Sequence, residues 1–352
     1  MRDLTASSAQ VVGTPPAFTT VRTPSVLAQA HLLEPTRPRH ETFRPPPACR
    51  VERQADPTMK KVVDELQILE QNRRFHDEVE ADHYDQRMGV SHDDASCAKI
   101  VDELERVLGG LLPRTGRLID VASGTGNLAI KLARTGSYDE VVAVDISIRS
   151  LEVARRSAAQ VGREITIVQS DMKRLPFEDN SFDVLVGCAF LHHLAFPVEF
   201  MSEVRRVLKP GCPFVIIGEG TRFFARALPL VKGPMLLANR CVKALRKSDA
   251  ATYKWEHDAI DVHDFTMADA EQLVAGFDDA RIVTEGFAGP LIEQGLLAPI
   301  RYFLPSTRGV IGGVLNASER VMMASDRVLF NRMVPRAMRT TLKISGRKPR
   351  LA

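Results

Sequence analysis

Leu118-Ile119-Asp120-Val121-Ala122-Ser123-Gly124-Thr125-Gly126-Asn127-Leu128 runs from an apolar strand through an acid into a glycine turn and opens a helix from Leu128 to Ala133. Gly124 and Gly126 lack Cβ, so the backbone there can take positive φ and a ligand can lie against the main chain. A second apolar strand, Val141-Val142-Ala143-Val144-Asp145, ends in an acid nineteen residues beyond Gly126. Open α/β sheets hold a ribose at that place. Strand, glycine turn, helix, strand and acid in this order set the class as α/β.

Two ligands suit the turn. Gly124-x-Gly126-x-x-Ala129 satisfies the relaxed glycine fingerprint that seats a dinucleotide pyrophosphate on a helix N-terminus. S-adenosyl-L-methionine has no phosphates; its sulfonium and amino-acid group favour a nearby carboxylate. Asp120, just before the glycines, suits this second ligand and repels a pyrophosphate.

The segments that follow discriminate between them. Ile165 to Asp171 reads as a third strand ending in an acid, Leu175-Pro176-Phe177 leads to a fourth strand over Ser181 to Val186, and a helix ends at Lys209-Pro210-Gly211 before a fifth strand, Phe214 to Gly218. In this order they resemble the class I S-adenosylmethionine-dependent methyltransferases, in particular the methyltransferase type 11 group. The loop Asp120-Val121-Ala122-x-Gly124-Thr125-Gly126 is also similar to that of the ubiquinone/menaquinone C-methyltransferases. The resemblance spans about Ile119 to Gly218, under a third of the chain. It implies a Rossmann-like seven-stranded sheet with helices on both faces and helical cover insertions.

The same resemblance implies roles. Asp120 with Ala122, Ser123, Gly124 and Gly126 would surround the methionine part of the cofactor. Asp145 would accept the ribose hydroxyls, Ile146 would lie against the adenine, and Asp171 with the Met172 backbone would bind the adenine edge. Ala122 departs from the first glycine of many members, Ser123 from their Cys or Gly, and Cys212 from the second glycine after Lys-Pro-Gly. Any single acid at a strand end also reads as a cap or turn former. Three acids ending three successive strands argue against that bland reading.

Around residues 113–220, the cofactor-binding core, the chain changes character. Residues 1–57 are rich in Pro, Ser, Thr and Arg, with Thr14-Pro15-Pro16 and Pro45-Pro46-Pro47, and read as disordered. They lack a secretory h-region, and Asp3, Glu34 and Glu41 weigh against an organelle transit segment. Residues 58–112 read as N-terminal helices and a lid: one helix over Met59 to Phe75, another from Ser91 or Asp93 to Gly109-Gly110. Between them lies His83-Tyr84-Asp85-Gln86-Arg87. The resemblance makes Tyr84 and Arg87 candidates for a lid over the carboxylate end of the cofactor; the alternative is a surface turn with Tyr84 as a packing residue.

His192-His193 follow strand four, on the side where open α/β sheets gather ligands. A histidine there can accept a proton from a hydroxyl or an acidic carbon, which makes both catalytic candidates. Leu191-His192-His193-Leu194 also recurs among relatives with different substrates, so a structural role stays open. Neither histidine has a Cys, His or carboxylate at ligand spacing, and no metal is expected.

Residues 221–262 form a basic, apolar helical insertion, and residues 263–352 complete the sheet with helix Met267 to Gly276, strands Ala280 to Glu285 and Thr340 to Ser345, and a second insertion at about 290–335. Two readings compete for the insertions: a cover over a small hydrophobic, lipid-like acceptor with peripheral contact to an anionic membrane, or packed helices with a solvated basic face. No apolar run approaches the roughly 20 residues of a membrane span. A net charge of +3 in 352 residues gives no argument for nucleic acid. Ala189-Phe190-Leu191-His192 stands where base N-methyltransferases carry Asn-Pro-Pro-Tyr. The five scattered cysteines lack C-x-x-C spacing and read as cytoplasmic thiols. The expected function is transfer of a methyl group from S-adenosyl-L-methionine to an O, N or C atom; an NAD(P)-dependent oxidoreductase and a non-catalytic adapter with this fold are the rivals. The acceptor and the oligomeric state are not set by sequence.

Overall fold

The computed structural model describes residues 65–82, 84–228, 230, 233, 263–292, 321 and 325–350. All belong to the unit Met59–Ala352. Runs of Val, Ile and Leu form parallel strands that are covered on both faces, β1 (Arg117–Val121), β2 (Glu140–Asp145), β4 (Val184–Cys188) and β5 (Pro213–Gly220), beside the partly exposed edge strand β3 (Thr166–Gln169). With β6 (Asp278–Glu285) and β7 (Thr341–Arg347) they make one seven-stranded sheet of order β3-β2-β1-β4-β5-β7-β6. β7 is antiparallel to both neighbours.

Side-chain alternation divides the sheet into two apolar faces. Leu118, Val141, Ala143, Val184, Val186, Val215 and Ile217 pack with Leu104, Leu128 and Leu151, which come from α3 (Asp94–Leu108), α4 (Asn127–Arg134) and α5 (Ile148–Gln160). Ile119, Val121, Val142, Val144, Leu185, Phe214 and Ile216 pack with Phe200, Val204 and Leu273, from α6 (Pro197–Val207) and α7 (Met267–Val274). Helices therefore cover both faces, as the resemblance implied.

Helix limits follow local chemistry. Asp93 caps α3 by accepting the Ser96 N–H, and left-handed Gly109 ends it. Ser147 caps α5, and Thr266 with Asp269 forms a capping box on α7. α1 (Glu65–Phe75) continues as a π-helical turn, His76–Glu80, followed by the short α2 (Tyr84–Met88).

Some boundaries differ from the sequence reading. The third strand stops at Gln169, two residues before Asp171, which is exposed and accepts the Lys173 N–H. The fourth strand begins at Val184 and reaches Cys188; Ser181 and Phe182 are instead held by the Val207 carbonyl, and Asp183 accepts the Arg117 N–H and the Lys209 ammonium. Thr340 precedes β7, and α7 ends before Gly276. Residues 1–57, the start of the first helix at Met59, most of the insertion from 231 to 262, and 293–320 lie outside the described residues. Among the described residues no helix is long and apolar enough to cross a membrane.

Candidate active site

Parallel pairing aligns Asp120 with Ala143 and Val186, and Asp145 with Gln169. The carboxyl ends of β1 to β4 therefore meet at one edge of the sheet, where ligands of such folds gather. The glycine turn is strained by design of its sequence: φ is 49° at Ala122, 53° at Gly124 and 82° at Gly126. Positive φ at Ala122 explains why glycine is the common residue there. A Cβ on Gly126 would sit 2.7 Å from the Ala154 Cβ, so only glycine lets α4 approach α5; at Gly124 nothing lies within 4 Å. Gly126 is thus a packing residue, while Gly124 faces open space.

Asp120 is buried, and its Oδ2 accepts the Ala129 N–H at 2.9 Å. Among the described residues its Oδ1 has no hydrogen-bond partner, and the same holds for Ser123 Oγ and Asn127 Oδ1. Burial pushes the Asp120 carboxyl up to about 8; the Ala129 N–H opposes this and the Asp145 charge adds to it. Asp145 is buried as well, with Oδ2 accepting the Gly124 N–H at 2.7 Å and Oδ1 the Ser147 N–H at 2.8 Å. Burial raises its carboxyl above the ordinary range, against the charge of His76 and these N–H groups.

The N-terminal helical segment ties to three of the strand ends. Thr125 Oγ1 donates to Asp85, Ser147 Oγ donates to Asp77 at 2.7 Å, and Asn72 Nδ2 donates to the His193 carbonyl at 3.0 Å. Tyr84 is half-buried in α2, whereas the Arg87 side chain lies outside the described set. Asp85, between the two residues singled out from sequence, contacts the glycine turn.

A family model described as a methyltransferase domain matches residues 119–216. The ubiquinone/menaquinone biosynthesis C-methyltransferase UbiE of Coxiella burnetii is 34% identical over 174 residues, covering 48% of this chain and 67% of that protein. The demethylmenaquinone methyltransferase of Staphylococcus aureus is 30% identical over 181 residues, covering 51% and 73%. The chain belongs to the class I methyltransferase family. A demethylmenaquinone methyltransferase of Clavibacter sepedonicus, 35% identical, is covered over 58% of its length and 41% of this chain. The phosphoethanolamine N-methyltransferase 2 of Haemonchus contortus, solved with S-adenosyl-L-methionine, shares the fold at a TM-score of 0.50 and 18% identity, over 79% of this chain and 60% of its own.

The remaining candidates of this methyltransferase fall around the same edge. Ile146 is half-buried, and its carbonyl accepts Gln169 Nε2. Asp171 is exposed beyond β3; Met172 has φ 65° and sends its side chain into the core, leaving its backbone at the strand end. His192 and His193 lie in a 3₁₀ turn, Leu191–His193, with ring centroids 3.9 Å apart. His192 Nδ1 is 2.7 Å from Glu219 Oε2.

Glu219, fully buried, was missed because the fifth strand was read as ending at Gly218. Its signal was present: an acid closing a strand, as at Asp120 and Asp145. Cys188 opens to solvent at the end of β4. Crowding by protein, with the Glu219 and Asp120 charges, nevertheless pushes its thiol up to about 12. A separate surface cavity of about 330 Å³, lined by Arg281 to Thr284 with Arg336 and Arg339, shares no residue with this edge.

Proposed function

We propose that this methyltransferase moves a methyl group from S-adenosyl-L-methionine to an O, N or C atom of a small hydrophobic acceptor. The observation that carries the reading is the turn itself. Asp120 Oδ1, Ser123 Oγ and Asn127 Oδ1 are buried without partners among the described residues, around a Gly124 that faces open space. A buried carboxyl with open acceptors beside it suits a cationic amino-acid group and disfavours a pyrophosphate. The residues present fit the cofactor: Asp120, Ala122, Ser123, Gly124 and Gly126 would hold its amino-acid end. Asp145, Ile146, Asp171 and the Met172 backbone would hold the nucleoside.

When bound, the cofactor supplies an electrophilic methyl group. The chain contributes orientation, exclusion of water and a place for a proton. Within residues 58–112, α1 with its π-helical turn and α2 act as the lid, with Asp85, Asp77 and Asn72 fastening it to the strand ends and Tyr84 and Arg87 at its edge. The relatives named for demethylmenaquinone and ubiquinone/menaquinone support a quinone-type acceptor. Exposed Leu329, Met333 and Met338 beside exposed Arg332 and Arg336 support peripheral contact with an anionic membrane that would deliver it.

Calorimetric titration of the full chain with S-adenosyl-L-methionine and separately with NAD tests the cofactor. Saturable binding of the first alone is expected; binding of NAD alone refutes the reading. Incubation with reduced demethylmenaquinone and mass spectrometry for a one-methyl gain tests the acceptor class. Sedimentation with vesicles of phosphatidylcholine, with and without phosphatidylglycerol, tests the membrane contact.

A further inference from the structure

We propose that Glu219 is a positioning residue that holds His192 as its neutral Nδ1–H tautomer, so that Nε2 takes a proton from the methyl acceptor. This rests on the methyl-transfer reading above. The geometry begins in the backbone of β5. Its pairing with β7 shifts register between Ile216 and Glu219, and Gly218 within the irregularity has φ 82°. A Cβ there would meet Cys188 Sγ at 3.1 Å and the Ala189 N at 3.4 Å, so glycine lets β5 close against the end of β4. Bulges of this kind re-aim a side chain. Here the next side chain is a carboxylate with no exposed surface.

That carboxylate is aimed at the 3₁₀ turn. Oε1 accepts the N–H groups of Phe190 at 2.9 Å and Leu191 at 3.0 Å, and Oε2 accepts that of His192 at 3.3 Å. Those three bonds alone would fasten the turn, whatever side chain stood at 192. The fourth contact, His192 Nδ1 to Oε2 at 2.7 Å, acts on the ring. A carboxylate accepts on both oxygens, so Nδ1 carries a proton, and the neutral ring then holds its lone pair on Nε2. One fifth of the His192 side chain stays exposed.

Other titratable groups crowd the ring. The His193 ring is 3.9 Å away between centroids, with His76 6.0 Å beyond it; the His263 N–H donates to the His192 carbonyl, and Cys188 stands at the preceding strand end.

The arrangement narrows the acceptor. An amine that is already neutral attacks with its own lone pair and sheds its proton afterwards, whereas a hydroxyl or a carbon is activated by losing a proton as the new bond forms. In the proposed step the O–H or C–H bond of the acceptor breaks and its proton moves to His192 Nε2. The electron pair left behind forms the bond to the methyl carbon, whose bond to sulfur breaks with its pair remaining on sulfur. The imidazolium, beside the Glu219 carboxylate, then returns its proton to solvent. The acceptor class is therefore one with an acidic hydroxyl or an acidic carbon, such as a phenol or an enol.

The test uses the full chain labelled with ¹⁵N-histidine, with His192 assigned by its loss in His192→Gln. Long-range ¹H–¹⁵N spectra are expected to show Nδ1 protonated and Nε2 unprotonated in the wild type, and a mixture of tautomers in Glu219→Gln. With reduced demethylmenaquinone as acceptor, His192→Gln is expected to lower kcat about 100-fold. Its KM for S-adenosyl-L-methionine should be unchanged, and the loss of rate on the acid side of the pH profile should disappear. Added imidazole is expected to restore part of the rate of His192→Ala. A wild-type His192 protonated on Nε2 overturns the proposal, as does turnover of His192→Gln within about threefold of wild type. A wild type that does not bind S-adenosyl-L-methionine sinks the underlying reading instead. If Glu219→Gln fails to fold, the wild-type tautomer and the His192 variants still decide.

Discussion

Asp120 is expected to make cofactor binding strongly dependent on pH. Its carboxyl is buried, lacks a partner on Oδ1 and is pushed up to about 8, so the ligand-free chain holds it largely protonated at neutral pH. A bound cation favours the ionised form and draws that value down. Binding should therefore release about 0.9 proton at pH 7, about 0.5 at pH 8 and about 0.1 at pH 9 from this group. Apparent affinity should fall by about 2 kcal/mol between pH 8 and pH 6, near tenfold per unit at the acid end. Titration calorimetry in phosphate and in Tris, which differ in ionisation heat, measures the protons directly. The difference between wild type and Asp120→Asn removes the contribution of the ligand's own amino group. The variant keeps an acceptor for the Ala129 N–H. Equal proton release by the two proteins, or affinity flat from pH 6 to pH 8 in the wild type, would refute the reasoning. The sign for stability runs the other way. A carboxyl raised from 3.8 to about 8 stabilises the ligand-free fold below about pH 4 and loses that contribution as pH rises towards 8. Asp120→Asn should therefore melt higher than wild type, by a margin that grows from pH 5 to pH 8.

Asp145→Asn should weaken S-adenosyl-L-methionine binding at least tenfold, about 1.4 kcal/mol, in a calorimetric titration at pH 7.5; unchanged affinity would sink the ribose assignment. The two glycines should respond differently. Gly126→Ala, with its Cβ 2.7 Å from that of Ala154, is expected to lose on the order of 2 kcal/mol in urea unfolding, whereas Gly124→Ala, which meets nothing within 4 Å, should fold more nearly normally yet bind the cofactor less well. Asp85→Ala should speed cofactor dissociation in stopped-flow displacement with little effect on the melting temperature, because it removes a tie to Thr125 at the edge of the fold. Asp326, buried and accepting the N–H groups of Phe287, Ala288 and Gly289, should cost about 2 kcal/mol when replaced by Ala, read by urea unfolding.

Much of the sheet is legible in the chain because local signals are strong where strands are buried on both faces. Val141 to Asp145 and Phe214 to Ile217 are apolar runs long enough to be strands and too short for helices, and Gly124, Gly126 and Asp145 sit at fixed offsets from them. Boundaries were less legible. Whether Ser181 or Val184 opens the fourth strand depends on the Val207 carbonyl and on Arg117, both remote in sequence. Likeness made Tyr84 and Arg87 candidates for a lid over the cofactor, whereas the contact of Asp85 in the same helix with Thr125 was not legible, because the phase of a five-residue helix is set by what it packs on.

The sequence by itself determined the α/β class, the order of strand, glycine turn and acid, and the chemistry offered at each strand end, since these follow from residue type and local spacing. It also carried Glu219, but only as one more acid beside two glycines. The tertiary structure alone decided what that acid does. The pairing of β5 with β7 throws the register between Ile216 and Glu219, and the closeness of β4 brings His192 to its carboxylate across 27 residues of chain. Contacts of that kind depend on strand order and backbone irregularity, which no local pattern encodes.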